Sequence, residues 1–204
     1  MTCVQTGDVV LFKGAEGLFD RAISYFTGSA YTHVGVILRD PEGLPPGAYV
    51  IESSKEAEPD PTSNRRVIGV QIQPLSTILS AHGTASVRRL ERKGRAPDLT
   101  PHLTKIFRDV DGRPYDIDVC DWLRAELRVH CPDMVWEQRD DTFWCSALAA
   151  YLYVRLGLLP PSLPWTLVSP KEWGPGGLLE PRFIHCALSE PMPGPFAIEN
   201  GAPF

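Results

Sequence analysis

The sequence predicts an α+β fold in a single domain, an antiparallel sheet or small barrel followed by packed helices. Short extended apolar runs fill the chain as far as Leu90, and helical periodicities take over from Thr100. That order, strands first and helices second, belongs to an α+β domain rather than to alternating βαβ units. The third observation is size: 204 residues can bury a proper core, and no internal repeat divides them. The domain is therefore read as 1–204, with an irregular segment from about 187 to 204.

Val9-Val10-Leu11-Phe12 is the first short strand. Leu18, Phe19, Ala22, Ile23 and Phe26 then recur at helical spacing, and Thr27-Gly28 is a stop. His33-Val34-Gly35-Val36-Ile37-Leu38 is the best strand in the sequence. Asp40 to Gly47 holds three prolines and two glycines and must be a turn or loop. Ala48 to Glu52 reads as the returning strand of a hairpin-like pair, and Ser53 to Asn64 as a polar surface loop. Val67 to Ile72 and Ser86 to Leu90 are further strands, with a short helix between them. Thr100-Pro101 is a cap and first-turn pair for a helix whose apolar face is Leu103, Ile106, Phe107 and Val110, with Gly112 beyond its end. Val119, Trp122, Leu123 and Leu127 mark a second helix, and Asp140 to Leu156 a third. After Gly157, Pro, Gly and Trp dominate.

Composition narrows the function. The chain is 43% hydrophobic and 22% charged, with a net charge of −5, so neither disorder nor strong attraction to nucleic acid is expected. Arg65-Arg66, Arg88-Arg89 and Arg92-Lys93-Gly94-Arg95 are local basic exceptions, read as solvated faces and loops; a phosphate or lipid-headgroup contact, and with it peripheral membrane contact, is the alternative. No run of about 18 apolar residues exists to span a membrane. The N-terminus lacks a basic and apolar leader, so the expected location is cytoplasmic. The five cysteines are irregularly spaced and suit free thiols in a reducing compartment. No CxxC or HxxxH spacing suggests a metal site, and no metal or organic cofactor is implied.

The third helix carries the chemistry. Asp140-Asp141-Thr142 ahead of an apolar run is a helix start signal, and a cap at Asp141 or Thr142 places Cys145 in the first turn. Unpaired N–H groups and the helix dipole there favour a thiolate, and the same groups can hold a developing oxyanion. A cysteine in an apolar helix is equally an ordinary buried thiol, so a partner base is needed to separate the two accounts. His33 stands at the mouth of the best strand, while His82, His102, His130 and His185 sit in turn-like, helical-surface or irregular contexts. An imidazole with an ordinary pKa of about 6.5 can take a proton from a neighbouring cysteine; a half-buried strand histidine is the plainer account. If the His33 strand and its successor are adjacent and antiparallel, Glu52 lies near the start of the first. There it is either an acceptor for the far ring nitrogen or a solvated charge at a strand end.

Five short motifs then follow in order: Gly7-Asp8-Val9-Val10-Leu11-Phe12, Thr32-His33-Val34-Gly35-Val36-Ile37, Val50-Ile51-Glu52-Ser53, Gly112-Arg113-Pro114-Tyr115-Asp116 and Phe143-Trp144-Cys145-Ser146-Ala147-Leu148. Together they resemble the circularly permuted branch of the NlpC/P60 papain-like superfamily, the group with the bacterial YiiX-like proteins and a poxvirus relative. Leu156-Gly157-Leu158-Leu159-Pro160, Trp165 and Val168 to Trp173 are also similar to that group. The resemblance implies a permuted papain-like fold in which the nucleophile helix follows the sheet. Cys145 matches the nucleophile, His33 the base, Glu52 the polar third member, and Tyr115 a tyrosine whose hydroxyl serves the active site at the oxyanion. Ala147 stands where many relatives carry an acid.

The expected activity is that of a cysteine hydrolase cleaving an amide or acyl bond through a Cys145 thioester. Its substrate would be a small peptide, an amino-acid amide or a lipid acyl group. Two other readings stand beside it. One is a catalytically silent papain-like binding module, with Trp165 and Trp173 as its exposed aromatic residues. The other is a lipid acyltransferase or thioesterase of the retinol-acyltransferase type.

Overall fold

The computed structural model describes residues 2–13, 29–55, 59–61, 64, 66–82, 84–94, 97–116, 138–194 and 196–197. The helices expected around Leu18 to Phe26 and Val119 to Leu127 lie outside these residues, as do Cys120, His130 and Cys131. Strand β1 (Thr2–Cys3) precedes the four strands β2 (Val9–Lys13), β3 (Tyr31–Arg39), β4 (Ala48–Ser54) and β5 (Gly69–Pro74). Helix α1 (Leu75–His82), β6 (Thr84–Arg88), β7 (Leu90–Arg92) and α2 (Thr100–Val110) follow, then α3 (Cys145–Arg155). Three single 3-10 turns lead to β8 (Cys186–Leu188), β9 (Met192–Pro193) and β10 (Phe196–Ala197). The main sheet is antiparallel throughout and runs β5-β4-β3-β2-β6-β9; among the described residues it does not close into a barrel.

Both faces of this sheet are covered, which is why β2 and β3 read as unbroken apolar runs rather than as alternating ones. Val9, Leu11, Val34, Val36, Leu38, Tyr49 and Ile51 pack with α2 and α3. The intervening Val10, Phe12, Ile37, Ala48 and Val50 pack with Leu75 and Ile78 of α1 and with Ala85 and Val87 of β6. Each fully buried aliphatic side chain of this kind contributes roughly 1.5–3 kcal/mol of transfer free energy. The β3–β4 hairpin closes where expected. Asp40 takes a left-handed backbone with φ 45°, its N–H donates to the Gly47 carbonyl at 2.8 Å, and its Oδ1 accepts the Gly47 N–H at 2.7 Å. Aspartate tolerates that conformation better than most residues.

Helix α2 buries Leu103, Ile106, Phe107 and Val110 as its spacing predicts, but Leu99, not Thr100, is its N-cap. Thr100 instead meets Thr6 hydroxyl to hydroxyl at 2.8 Å. β4 runs on through Ser54 because Ser53 and Ser54 are buried, so the polar loop begins later than its composition suggests. The segment after 187, expected to be irregular, adds β9 to the edge of the main sheet and β10 in parallel beside β1. Trp173, expected to be exposed, is fully buried with its ring edge-on to Tyr153 at 5.0 Å. Trp165 is half-buried, and its indole N–H donates to the Arg139 carbonyl at 3.0 Å. The aromatic surface of the binding-module reading is therefore largely spent on packing.

Arg88, read as part of a solvated basic pair, is only 1% exposed. Its Nη1 donates to the Trp173 carbonyl at 2.8 Å, its Nε to the Ser189 carbonyl at 2.7 Å, and its Nη2 to Glu180 Oε1 at 2.7 Å and the Leu188 carbonyl at 3.1 Å. The guanidinium thus pins the proline- and glycine-rich C-terminal part to β6. Replacing it with an apolar residue orphans three backbone carbonyls at once. Arg88→Leu is expected to cost about 3 kcal/mol, the scale for breaking a buried charged network. For a chain of this size that is a fall in Tm of roughly 6–12 °C. Glu180→Gln, at a half-exposed partner, is expected to cost much less; equal melting temperatures for wild type and Arg88→Leu would remove the pinning role.

Candidate active site

His33 and Glu52 come together because β3 and β4 are antiparallel neighbours with Val36 opposite Ile51. Counting outward from that pair puts Glu52 opposite Gly35, with His33 two residues further along β3 on the same sheet face as Glu52. His33 Nε2 lies 2.7 Å from Glu52 Oε2, with the two side chains 13% and 1% exposed. The imidazole also tilts against Phe12, opposite it on β2, with ring centroids 5.6 Å apart. A register irregularity falls at this point, between Phe12 and Lys13, so that Tyr31 rather than Thr32 is the next residue paired. Bulges of this kind re-aim side chains at strand ends.

The carboxylate has a second holder. Gln71 stands directly opposite Glu52 on β5, and its amide Nε2 donates to Glu52 Oε1 at 3.0 Å. Sequence reasoning passed over Gln71. The signal was present in Val70-Gln71-Ile72-Gln73, where amides alternate with aliphatic residues in a strand buried on both faces.

Cys145 is the first residue of α3 and is 4% exposed. The helix starts later than its acidic and threonine residues suggest. Its N-cap is Trp144, in an extended conformation and with no side-chain cap bond. The proposed caps are drawn elsewhere. Phe143 forms a parallel bridge with Tyr115, and its N–H donates to the Pro114 carbonyl at 3.1 Å. Its own carbonyl accepts the Asp116 N–H at 3.1 Å and the buried Ser53 hydroxyl at 2.6 Å. The Thr142 hydroxyl turns to Asp116. A strand-like approach held on both sides delivers Cys145 to the helix start, and the N-cap residue Trp144 makes no side-chain bond to the first turn of α3.

Cys145 acts on the His33 ring and favours its charged form. Burial of the ring opposes its charge, but the charge and hydrogen bond of Cys145, and then those of Glu52, outweigh it. The imidazole pKa stands well above its ordinary value. The imidazolium form is therefore favoured below the ordinary histidine value and persists above it, until the pH passes through the raised one. Tyr115 is bridged to Phe143, two residues before Cys145, and packs against the same core cluster as Cys145. The Lys55 ammonium lies over its ring, 5.6 Å from the centroid. His102 and His185 are exposed.

Among the described residues, no group of three or more His, Cys, Asp and Glu side chains could hold a metal ion. No helix among them is long and apolar enough to cross a membrane.

No protein-family model matches the chain, and no curated protein matches it in sequence. Among solved structures it is similar to YiiX from Escherichia coli O157:H7, described as a metalloprotein of the DUF1105 group. The TM-score is 0.56 at 20% sequence identity, covering 93% of this chain and 98% of that one. The chain shares an α+β fold with YiiX, with a large antiparallel sheet and few helices.

Proposed function

We propose that the chain is a cysteine hydrolase of the permuted papain-like type, cleaving an amide or acyl bond through a thioester on Cys145. The observation that carries this reading is the His33 imidazole held between the Cys145 thiol at a helix N-terminus and the buried Glu52 carboxylate. A buried histidine between a carboxylate and a thiol is the arrangement that makes a nucleophile and orients its base.

In the reaction, His33 holds the thiol proton on Nδ1 and the Cys145 thiolate attacks the acyl carbon. The carbonyl oxygen takes up the charge near the N–H groups at the start of α3, with Tyr115 as a neighbouring donor. The tetrahedral intermediate collapses as the bond to the leaving amine or alcohol breaks, and the imidazolium gives that group its proton. Water then loses a proton to His33 and attacks the thioester. The acid departs and the Cys145 thiol is restored, with no net change in oxidation state. Glu52 stabilises the imidazolium and fixes its tautomer throughout. The substrate class is a small peptide, an amino-acid amide or a lipid acyl group.

The first test is the pH dependence of Cys145 alkylation by iodoacetamide, followed by peptide mass mapping. Wild-type Cys145 is expected to react well below the free thiol pKa of about 8.5. His33→Ala should abolish that low-pH reactivity. A Cys145 indifferent to His33 would end the enzyme reading.

A second test follows the His33 imidazole itself by NMR. Glu52 raises the imidazole pKa, so Glu52→Gln removes a stabiliser of the charged form. The His33 midpoint is expected to fall, and the acid limb of Cys145 alkylation to move to higher pH. An unmoved midpoint would remove Glu52 from the proposed triad.

A further inference from the structure

We propose that Gln71 is a positioning residue of this site, its side-chain amide fixing the Glu52 carboxylate and, through it, the His33 imidazole. The inference rests on the acyl-transfer reading above and names a residue on which the operation of that site depends.

Glu52 and Gln71 are each 1% exposed and face each other across the β4–β5 ladder. Of the two carboxylate oxygens, Oε1 accepts from Gln71 at 3.0 Å and Oε2 meets His33 Nε2 at 2.7 Å. With one oxygen tied to β5, the carboxylate resists rotation and its other oxygen stays aimed at the ring. The chemistry of the amide matters as much as its place. A lysine or arginine here would pair with Glu52 and quench its charge towards His33, whereas a water molecule would leave it free to turn. An amide donates at every pH and carries no charge, so the full negative charge of Glu52 remains available to the imidazolium.

Gln73 supplies the contrast within the same strand. It points to the same face two residues on and is 2% exposed, but its Nε2 donates to the Pro59 carbonyl at 3.2 Å. Gln73 ties a loop, whereas Gln71 ties the residue that holds the base.

Without its amide donor, a desolvated Glu52 takes up a proton more readily and can turn out of the imidazole plane. Either change withdraws negative charge from Nε2. In Gln71→Met the rate of Cys145 alkylation by iodoacetamide at mildly acidic pH is expected to fall about tenfold, the scale of one charge-assisted hydrogen bond. The acid limb should move to higher pH and the His33 NMR midpoint should fall. Gln73→Met is the structural control, expected to lower Tm while leaving both profiles in place. Should Gln71→Met fail to fold, Gln71→Asn keeps the amide but withdraws it by one methylene, and the same shifts are expected.

Wild-type profiles in the Gln71 variants, or equal shifts in the Gln71 and Gln73 variants, would overturn the positioning role. The two proposals fail separately. A Cys145 that ignores His33 ends the acyl-transfer reading, whereas a His33 midpoint unmoved by Gln71→Met ends this one even if Cys145 is reactive.

Discussion

Val36 stands opposite Ile51 and Ile37 opposite Val50, and the site depends on that register. Side chains alternate between sheet faces, so consecutive residues of β4 serve different layers. Glu52 reaches His33 on one face, while Ser53 reaches the Phe143 carbonyl on the other and steadies the approach to Cys145. A slip of one residue would exchange the two, sending a carboxylate into the core beneath α3 and a hydroxyl to the imidazole. Apolar layers on both faces forbid the slip. Gly35 shows how closely the strands meet, since a Cβ there would lie 2.3 Å from Val50 Cγ1. One pairing thus positions His33 and the approach to Cys145 together.

The electrostatics follow from burial. A carboxylate as enclosed as Glu52 is costly unless it is hydrogen-bonded and faces a positive charge. Gln71 meets the first requirement and the His33 imidazolium the second. Such a pair adds little net stability over well-packed apolar residues of the same volume, so its presence beside a helix-terminal thiol fits chemistry better than it fits stability. The same reasoning covers the helix start. A serine or aspartate at position 144 could cap α3 and occupy N–H groups that the extended Trp144 does not cap.

The β3–β4 hairpin was legible in the sequence because two strong strand segments flank a loop rich in proline and glycine, and its antiparallel pairing follows from so short a connection. Cys145 opens α3 and His33 lies near the start of β3, positions that composition and spacing suggest, whereas Glu52 sits inside β4, two residues short of its end. What escaped was set by distant partners. The start of α3 is fixed by Ser53 and Asp116 rather than by its neighbouring Asp141 and Thr142, so local capping rules placed it too early. Gln71 gains its meaning only from the residue across the ladder. Arg88 and Trp173 looked like surface residues by composition, and their burial is decided by each other's segments meeting. Tyr115 was suggested by a resemblance, and its placement beside Phe143 comes from a bridge between two loops that no periodicity marks.

The buried Arg88 also bears on the order in which the molecule can assemble. Its four acceptors lie 85 to 101 positions further along the chain. While a nascent chain emerges, β6 therefore exists for a time with a guanidinium that has nothing to bind but water. That hydration keeps this side of the sheet open until the C-terminal residues arrive, because sealing it earlier would strand an unpaired charge. Contacts of such long sequence separation form slowly. The hairpin carrying His33 and Glu52 can pair as soon as it is made, whereas the guanidinium of β6 waits for residues 173–189.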